Sequence, residues 1–204
     1  MNLPNKITTF RMVCVVIVST LLLLPLVGVK TPIMFSDISV LDFIAFVLFV
    51  LASLSDFLDG YLARKLNLVT TYGKFMDPIA DKLLVDATFI ICGIRGLVPA
   101  TVVVIMICRD LLIDALRQLA ASKGVVLAAN MWGKVKTFAQ MVALSFVLLH
   151  DWPFSYFDSF CRSVVTPLGI ASILCWIAAI ASVLSCVLYF SKNIAIFKDK
   201  KEEK

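Results

Sequence analysis

The polar and apolar positions fall into long uncharged runs separated by short polar clusters. Met12–Val29 carries no charge over 18 residues, and Ser163–Ser191 none over 29. A transmembrane helix needs about 17–25 such residues. Between these runs the apolar pattern is broken by Pro32, Gly73, Gly96 with Pro99, Gly124, Pro153, and Pro167 with Gly169. The pattern predicts six helices, near residues 7–29, 38–63, 77–95, 98–121, 131–150 and 168–193. The first run exceeds the usual apolar core of a signal peptide, about 7–15 residues, and no A-x-A-like site follows it, so a retained helix is expected.

Composition agrees with this reading. The chain is 61% hydrophobic and 16% charged, against about 45–50% and 25% in soluble domains. That excludes an ordinary soluble globule and gives an all-α integral membrane protein, because lipid admits only helices and closed barrels. There is no internal repeat, low-complexity tract or soluble domain. A single membrane domain over residues 1–204 is expected, with a short interfacial segment at about 1–11 and a basic cytoplasmic tail at about 194–204. The six cysteines (14, 92, 108, 161, 175 and 186) have no CxxC spacing and read as small membrane-compatible side chains. The lone histidine, His150, reads as a membrane-interface residue. Nothing points to a nucleic-acid partner.

Charge sets the expected orientation. With six spans both termini share one side, and that side receives 16 of the 19 Lys and Arg residues. The positive-inside rule places it in the cytoplasm, giving a multi-pass cell-membrane protein. Helices 2 to 5 read as clean at their outer ends and polar at their inner ends. Ionisable groups at that depth face a bundle interior or a wet cavity, so one polar cavity is expected at the cytoplasmic leaflet.

The stretch DFLDGYLARKLNLVTTYGKFMDPIAD, residues 56–81, carries the chemistry. Asp56 and Asp59 are three apart, and Asp77 and Asp81 four apart, so each pair shares a helical face. A short link containing Gly73 predicts antiparallel helices with their acidic ends together. Four carboxylates in a low-dielectric site repel one another unless a cation intervenes. The ligands on offer are all oxygens, with no histidine near and no cysteine inside the stretch, and oxygen ligands select magnesium, manganese or calcium over zinc. Two pairs suit a two-metal site for phosphoryl displacement. Gly60 and Ala63 leave a shallow patch beside the acids, and Arg64 follows as a phosphate partner. The alternative is salt-bridging between these acids and local Arg and Lys residues.

Written as Asp56-x2-Asp59-Gly60-x2-Ala63-Arg64-x8-Gly73-x3-Asp77-x3-Asp81, the stretch resembles the complete signature of the CDP-alcohol phosphatidyltransferase family. NLPNKITTFR (2–11), RDLLIDALRQLAA (109–121) and WGKVKTFAQMVAL (132–144) resemble its bacterial phosphatidylglycerophosphate synthase branch. The resemblance implies transfer of a phosphatidyl group from CDP-diacylglycerol to sn-glycerol 3-phosphate, releasing CMP. It implies that Asp56, Asp59, Asp77 and Asp81 hold two Mg2+ or Mn2+ ions and that Asp81 is also the general base. Asp56, Asp59, Gly60, Ala63, Arg64 and Gly73 then bind CDP-diacylglycerol. A homodimer and a membrane-lipid groove for the acyl chains are implied as well.

The acceptor brings its own phosphate, for which Arg109, Arg117, Lys134 and Lys136 are the candidate ligands. Asp110 or Asp114 could instead tie up Arg117, and the two lysines could be membrane anchors. Asn5-x2-Thr8-x2-Arg11 reads either as an N-cap with an interfacial helix or as part of the site lining. The signature reads the donor half only. Inositol phosphate, serine, or phosphatidylglycerol as in a cardiolipin synthase remain alternative acceptors, of which the basic cluster disfavours serine. An ion-coupled transporter is the alternative of another class.

Overall fold

A computed structural model describes residues 3–29, 32–35, 38–66, 71–125, 131–152 and 169–193. Within these, the side chains of 3–6, 34–35, 56–66, 71–75, 77–78, 81, 131–132 and 134 lie outside the described set.

The described residues form six α-helices and one small hairpin. They are α1 (Leu3–Leu23), extended by a 3₁₀ turn (Leu24–Val27), then β1 (Ile33–Phe35) and β2 (Ile38–Ser39), α2 (Val40–Leu66), α3 (Thr71–Ile94), α4 (Ala100–Ser122), α5 (Met131–Leu148) and α6 (Gly169–Asn193). The two strands pair antiparallel. The start of α2 is set locally. The Ser39 hydroxyl accepts the Asp42 backbone N–H at 3.1 Å, capping one of the open donors of the first turn. The α3–α4 turn passes through Gly96 at φ +73°, a left-handed conformation that glycine adopts without a Cβ clash.

Two helix starts differ from expectation. First, α1 begins at Leu3, so residues 3–11 continue into the long apolar helix, and Asn5 lies inside it and is not an N-cap. Second, α3 begins at Thr71, ahead of the expected residue 77. Gly73 therefore sits in the first turn of α3 and not in the link. Gly73 reads as a breaker in the sequence, but a glycine costs a helix only about 1 kcal/mol. Pro78 is accommodated past the first turn, where its missing N–H leaves the Lys74 carbonyl without its usual helix donor.

Side-chain bonds between helices fix an up-and-down arrangement. Arg95 after α3 and His150 after α5 both reach Asp42 at the start of α2. Asp151 reaches Ala171 at the start of α6. At the opposite end, Lys82 on α3 meets Asp114 on α4, Lys136 on α5 meets Asp110 on α4, and Arg117 on α4 meets Tyr189 on α6. Alternate helix ends thus gather at two poles.

Packing is inverted relative to a soluble bundle. The buried face of α6 carries Ala171, Ser172, Cys175, Ala178, Ala179, Ser182 and Ser185, while Ile173, Ile177, Ile180, Leu184 and Val187 are exposed. Small residues let α6 approach α5 and α4 closely, and large apolar ones face outward, as helices in lipid require. On the other side α1 packs on α2 and α3. A shared core includes Cys14, Val18, Phe49, Phe89, Met106, Leu144 and Cys175. Among the described residues, two segments, Ile7–Val27 and Gly169–Asn193, are long and apolar enough by length and composition to cross a membrane.

Candidate active site at the acidic pole

The acidic stretch occupies the end of α2 and the beginning of α3. Asp56 and Asp59 lie in the last three turns of α2, with Gly60, Ala63 and Arg64 following on the same helix. Asp77 and Asp81 lie in the first three turns of α3. Continuous helix through both segments keeps each aspartate pair on one face. The four-residue connection 67–70 brings the two carboxylate-bearing ends close along the chain. The side chains of these residues, and of Gly73 and Lys134, lie outside the described set.

The donor types can still be tested against a metal. No histidine or cysteine occurs between Ser55 and Ile91. The available ligands are therefore carboxylate oxygens, which fit a hard divalent cation and not zinc. Nearby, α1 contributes Thr8 and Arg11, each 1% exposed, on a helix packed against both α2 and α3. A buried arginine is costly unless paired. Thr8 and Arg11 thus lie in the bundle interior.

Above the aspartates a second layer of charge links three helices. Lys136 on α5 is 4% exposed. Its Nζ donates to Asp110 Oδ1 at 2.6 Å and to Oδ2 at 2.5 Å. Arg109 Nη1 donates to the same Oδ1 at 2.6 Å. The rest of the Arg109 fork turns to α6, with Nε donating to the Ser182 carbonyl at 3.2 Å and Nη2 to the Ser185 hydroxyl at 2.9 Å. Arg109 is therefore a tie between α4 and α6. Arg117 sits further toward the pole, its Nε 3.5 Å from the Tyr189 hydroxyl.

The sequence left open an internal bridge from Asp110 or Asp114 to Arg117. The structure pairs both acids elsewhere: Asp114 with Lys82 on α3, and Asp110 with Arg109 and Lys136. Lys82, Asp86, Ser182, Ser185 and Tyr189 were not singled out by the sequence. Asp86 is half-buried on α3, within electrostatic reach of Asp110, Lys136, Lys82 and Asp114. Its i, i+4 spacing from Lys82 was the available signal. Ser182, Ser185 and Tyr189 recur at helical spacing, but within a run that reads as uniformly apolar.

The opposite pole is not clean, contrary to expectation. Asp42, 2% exposed, receives both Arg95 terminal nitrogens, Nη1 at 2.5 Å and Nη2 at 3.0 Å. His150 Nε2 lies 3.3 Å from Asp42 Oδ2, so His150 belongs to an ion cluster and not simply to a membrane interface. His150 and Asp151 both adopt positive φ, 49° and 62°. That conformation is uncommon outside glycine, though His and Asp adopt it more readily than most. It lets Asp151 Oδ1 accept the Ala171 N–H at 2.5 Å, capping α6. Asp42 and Arg95 lie 53 residues apart, and neither shows the other by local spacing.

Known proteins resemble this chain along most of its length. The sequence profile described as CDP-alcohol phosphatidyltransferase matches residues 1–186. A Bacillus subtilis protein named CDP-diacylglycerol–glycerol-3-phosphate 3-phosphatidyltransferase is 42% identical over 192 residues, covering 94% of this chain and 95% of that one. Proteins of the same name from Rickettsia typhi and Haemophilus influenzae are 34% and 33% identical. They cover 93% and 92% of this chain, and 95% and 91% of their own lengths.

Proposed function

This chain belongs to the CDP-alcohol phosphatidyltransferase family, and from that premise we propose that it transfers the phosphatidyl group of CDP-diacylglycerol to sn-glycerol 3-phosphate. The products are phosphatidylglycerophosphate and CMP, a step of phospholipid (phosphatidylglycerol) biosynthesis. The observation that carries the proposal is the 42% identity to a named relative across 94% of the chain, with the full aspartate signature present.

Asp56, Asp59, Asp77 and Asp81 hold the metal. The family depends on divalent metal, and two Mg2+ or Mn2+ ions at these carboxylates would supply charge neutralisation of the diphosphate and of the departing CMP. Gly60, Ala63 and Gly73 have little or no side chain, so a nucleotide can approach the helix backbone there. Arg64 supplies a cation for the donor phosphates. Asp81 accepts the proton of the acceptor hydroxyl. The hydroxyl oxygen then bonds to the phosphatidyl phosphorus as the bond from phosphorus to CMP breaks. No covalent enzyme intermediate is required.

The acceptor phosphate is bound by the basic layer that includes Arg117, Lys134 and Lys136. Arg109 contributes by holding Asp110, and Asp110 in turn holds Lys136. All six helices cross the cell membrane, with both termini and the acidic pole in the cytoplasm, where a water-soluble acceptor meets a lipid donor. The outward apolar faces give the acyl chains a groove and a second copy a surface for a homodimer.

The test uses purified protein in detergent–lipid micelles with radiolabelled glycerol 3-phosphate. Label entering the lipid phase, with CMP released in equal amount, is the expected result. CMP release with no label in lipid would contradict it.

A further inference from the structure

Among the described residues, Arg117 on α4 is held by an aromatic side chain and not by an acid. Lys82 is paired with Asp114, and Lys136 and Arg109 share Asp110. Both acids on the same helix as Arg117 are thus engaged by other cations, and among the described residues no carboxylate pairs with Arg117. Its side chain is nonetheless held. The Nε donates to the Tyr189 hydroxyl at 3.5 Å, and the guanidinium carbon lies 5.8 Å from the centre of the Tyr189 ring. That is within the range of a cation–π contact.

Tyr189 is itself fixed. It is 5% exposed and packs with Ile113 and Leu116 of α4, flanked by Cys186 and Phe190 of α6. Its ring is wedged against the same helix that carries Arg117, one turn and one residue earlier in sequence. Using Nε for the phenol leaves the two Nη nitrogens free of described partners, and these form the edge with which arginine grips a phosphate.

We propose that Tyr189 is a positioning residue for the acceptor: it aims the Arg117 guanidinium so that both Nη groups face a phosphate monoester. This rests on the reading of Arg117 as an acceptor-phosphate ligand. A flexible arginine would lose rotamer freedom on binding, and a pre-set one loses less. Tyr189 therefore acts on the affinity for glycerol 3-phosphate and not on the chemistry or on CDP-diacylglycerol.

The experiment measures kcat and both KM values for full-length protein carrying Tyr189→Phe, Tyr189→Leu, Arg117→Gln, and Tyr189→Leu with Arg117→Gln. Tyr189→Phe keeps the ring and removes the hydroxyl, so its KM for glycerol 3-phosphate rises about threefold. Tyr189→Leu removes both contacts and raises it about tenfold, in line with cation–π strengths. In both, kcat and the KM for CDP-diacylglycerol stay within about twofold, a split that a general packing defect would not give. The double variant is no worse than Arg117→Gln alone, because coupled residues are not additive. An unchanged acceptor KM in both Tyr189 variants, with Arg117→Gln impaired, overturns the inference and leaves the reading of Arg117 standing. Additive losses in the double variant overturn it too. An unimpaired Arg117→Gln removes the reading of Arg117 and the inference with it.

Discussion

Lys136 reaches both carboxylate oxygens of Asp110, its Nζ lying 2.6 Å from Oδ1 and 2.5 Å from Oδ2. The pair is buried and shared with Arg109, so a single carboxylate balances two cations between α4, α5 and α6. Removing one partner of a buried pair leaves a charge without compensation and costs about 3–5 kcal/mol. Asp110→Asn is therefore expected to lower the thermal midpoint in detergent by several degrees and to raise the KM for glycerol 3-phosphate. Asp110→Glu, which keeps the charge, restores most of both. Thermal inactivation curves and acceptor titrations on the same preparations check this.

At the far pole, Asp42 binds the Arg95 fork and faces His150. This cluster ties the ends of α2, α3 and α5 away from the acidic stretch. Asp42→Asn weakens the tie and leaves Arg95 under-compensated. The expected outcome is a shorter half-life at raised temperature, with both KM values at low temperature within about twofold of the parent. A selective change in either KM would show that this pole communicates with the site.

Asp81 is assigned the proton of the acceptor hydroxyl. Asp81→Asn keeps the shape and removes the base, so CMP release falls by at least about a hundredfold, the scale of general-base catalysis. Chromatography and thermal stability should match the parent. Near-normal turnover would remove Asp81 from that role.

Chelation of divalent ions is expected to abolish CMP release, and added Mg2+ or Mn2+ to restore it. Isothermal titration of the chelated protein with Mn2+ should give binding that Asp56→Asn and Asp77→Asn each weaken. Full activity after exhaustive chelation would contradict the assignment of the four aspartates to metal.

Much of this molecule is legible in its sequence, for identifiable reasons. The uncharged runs and the Gly and Pro breakers mark six helices, because helix length and lipid exposure act locally. The signature from Asp56 to Asp81 is legible because all its positions lie on two consecutive helices. Helix starts are less so: Leu3 and Thr71 precede the expected positions since Asn5 and Gly73 imitate boundary signals. The partners of charged residues were least legible. Asp42 with Arg95, Lys82 with Asp114, and Arg117 with Tyr189 are joined by packing between distant helices, and local spacing carries no record of it. The expected clean outer ends failed for the same reason.

The central claim is the identity of the acceptor, and an acceptor panel tests it most directly. Purified protein is supplied with CDP-diacylglycerol and Mg2+ or Mn2+, and CMP release is measured with glycerol 3-phosphate, inositol phosphate, serine or phosphatidylglycerol. Glycerol 3-phosphate is expected to give the highest kcat/KM of the panel, and at least about a hundredfold above serine, which brings no phosphate to the proposed basic site. A preference for inositol phosphate or phosphatidylglycerol would contradict it.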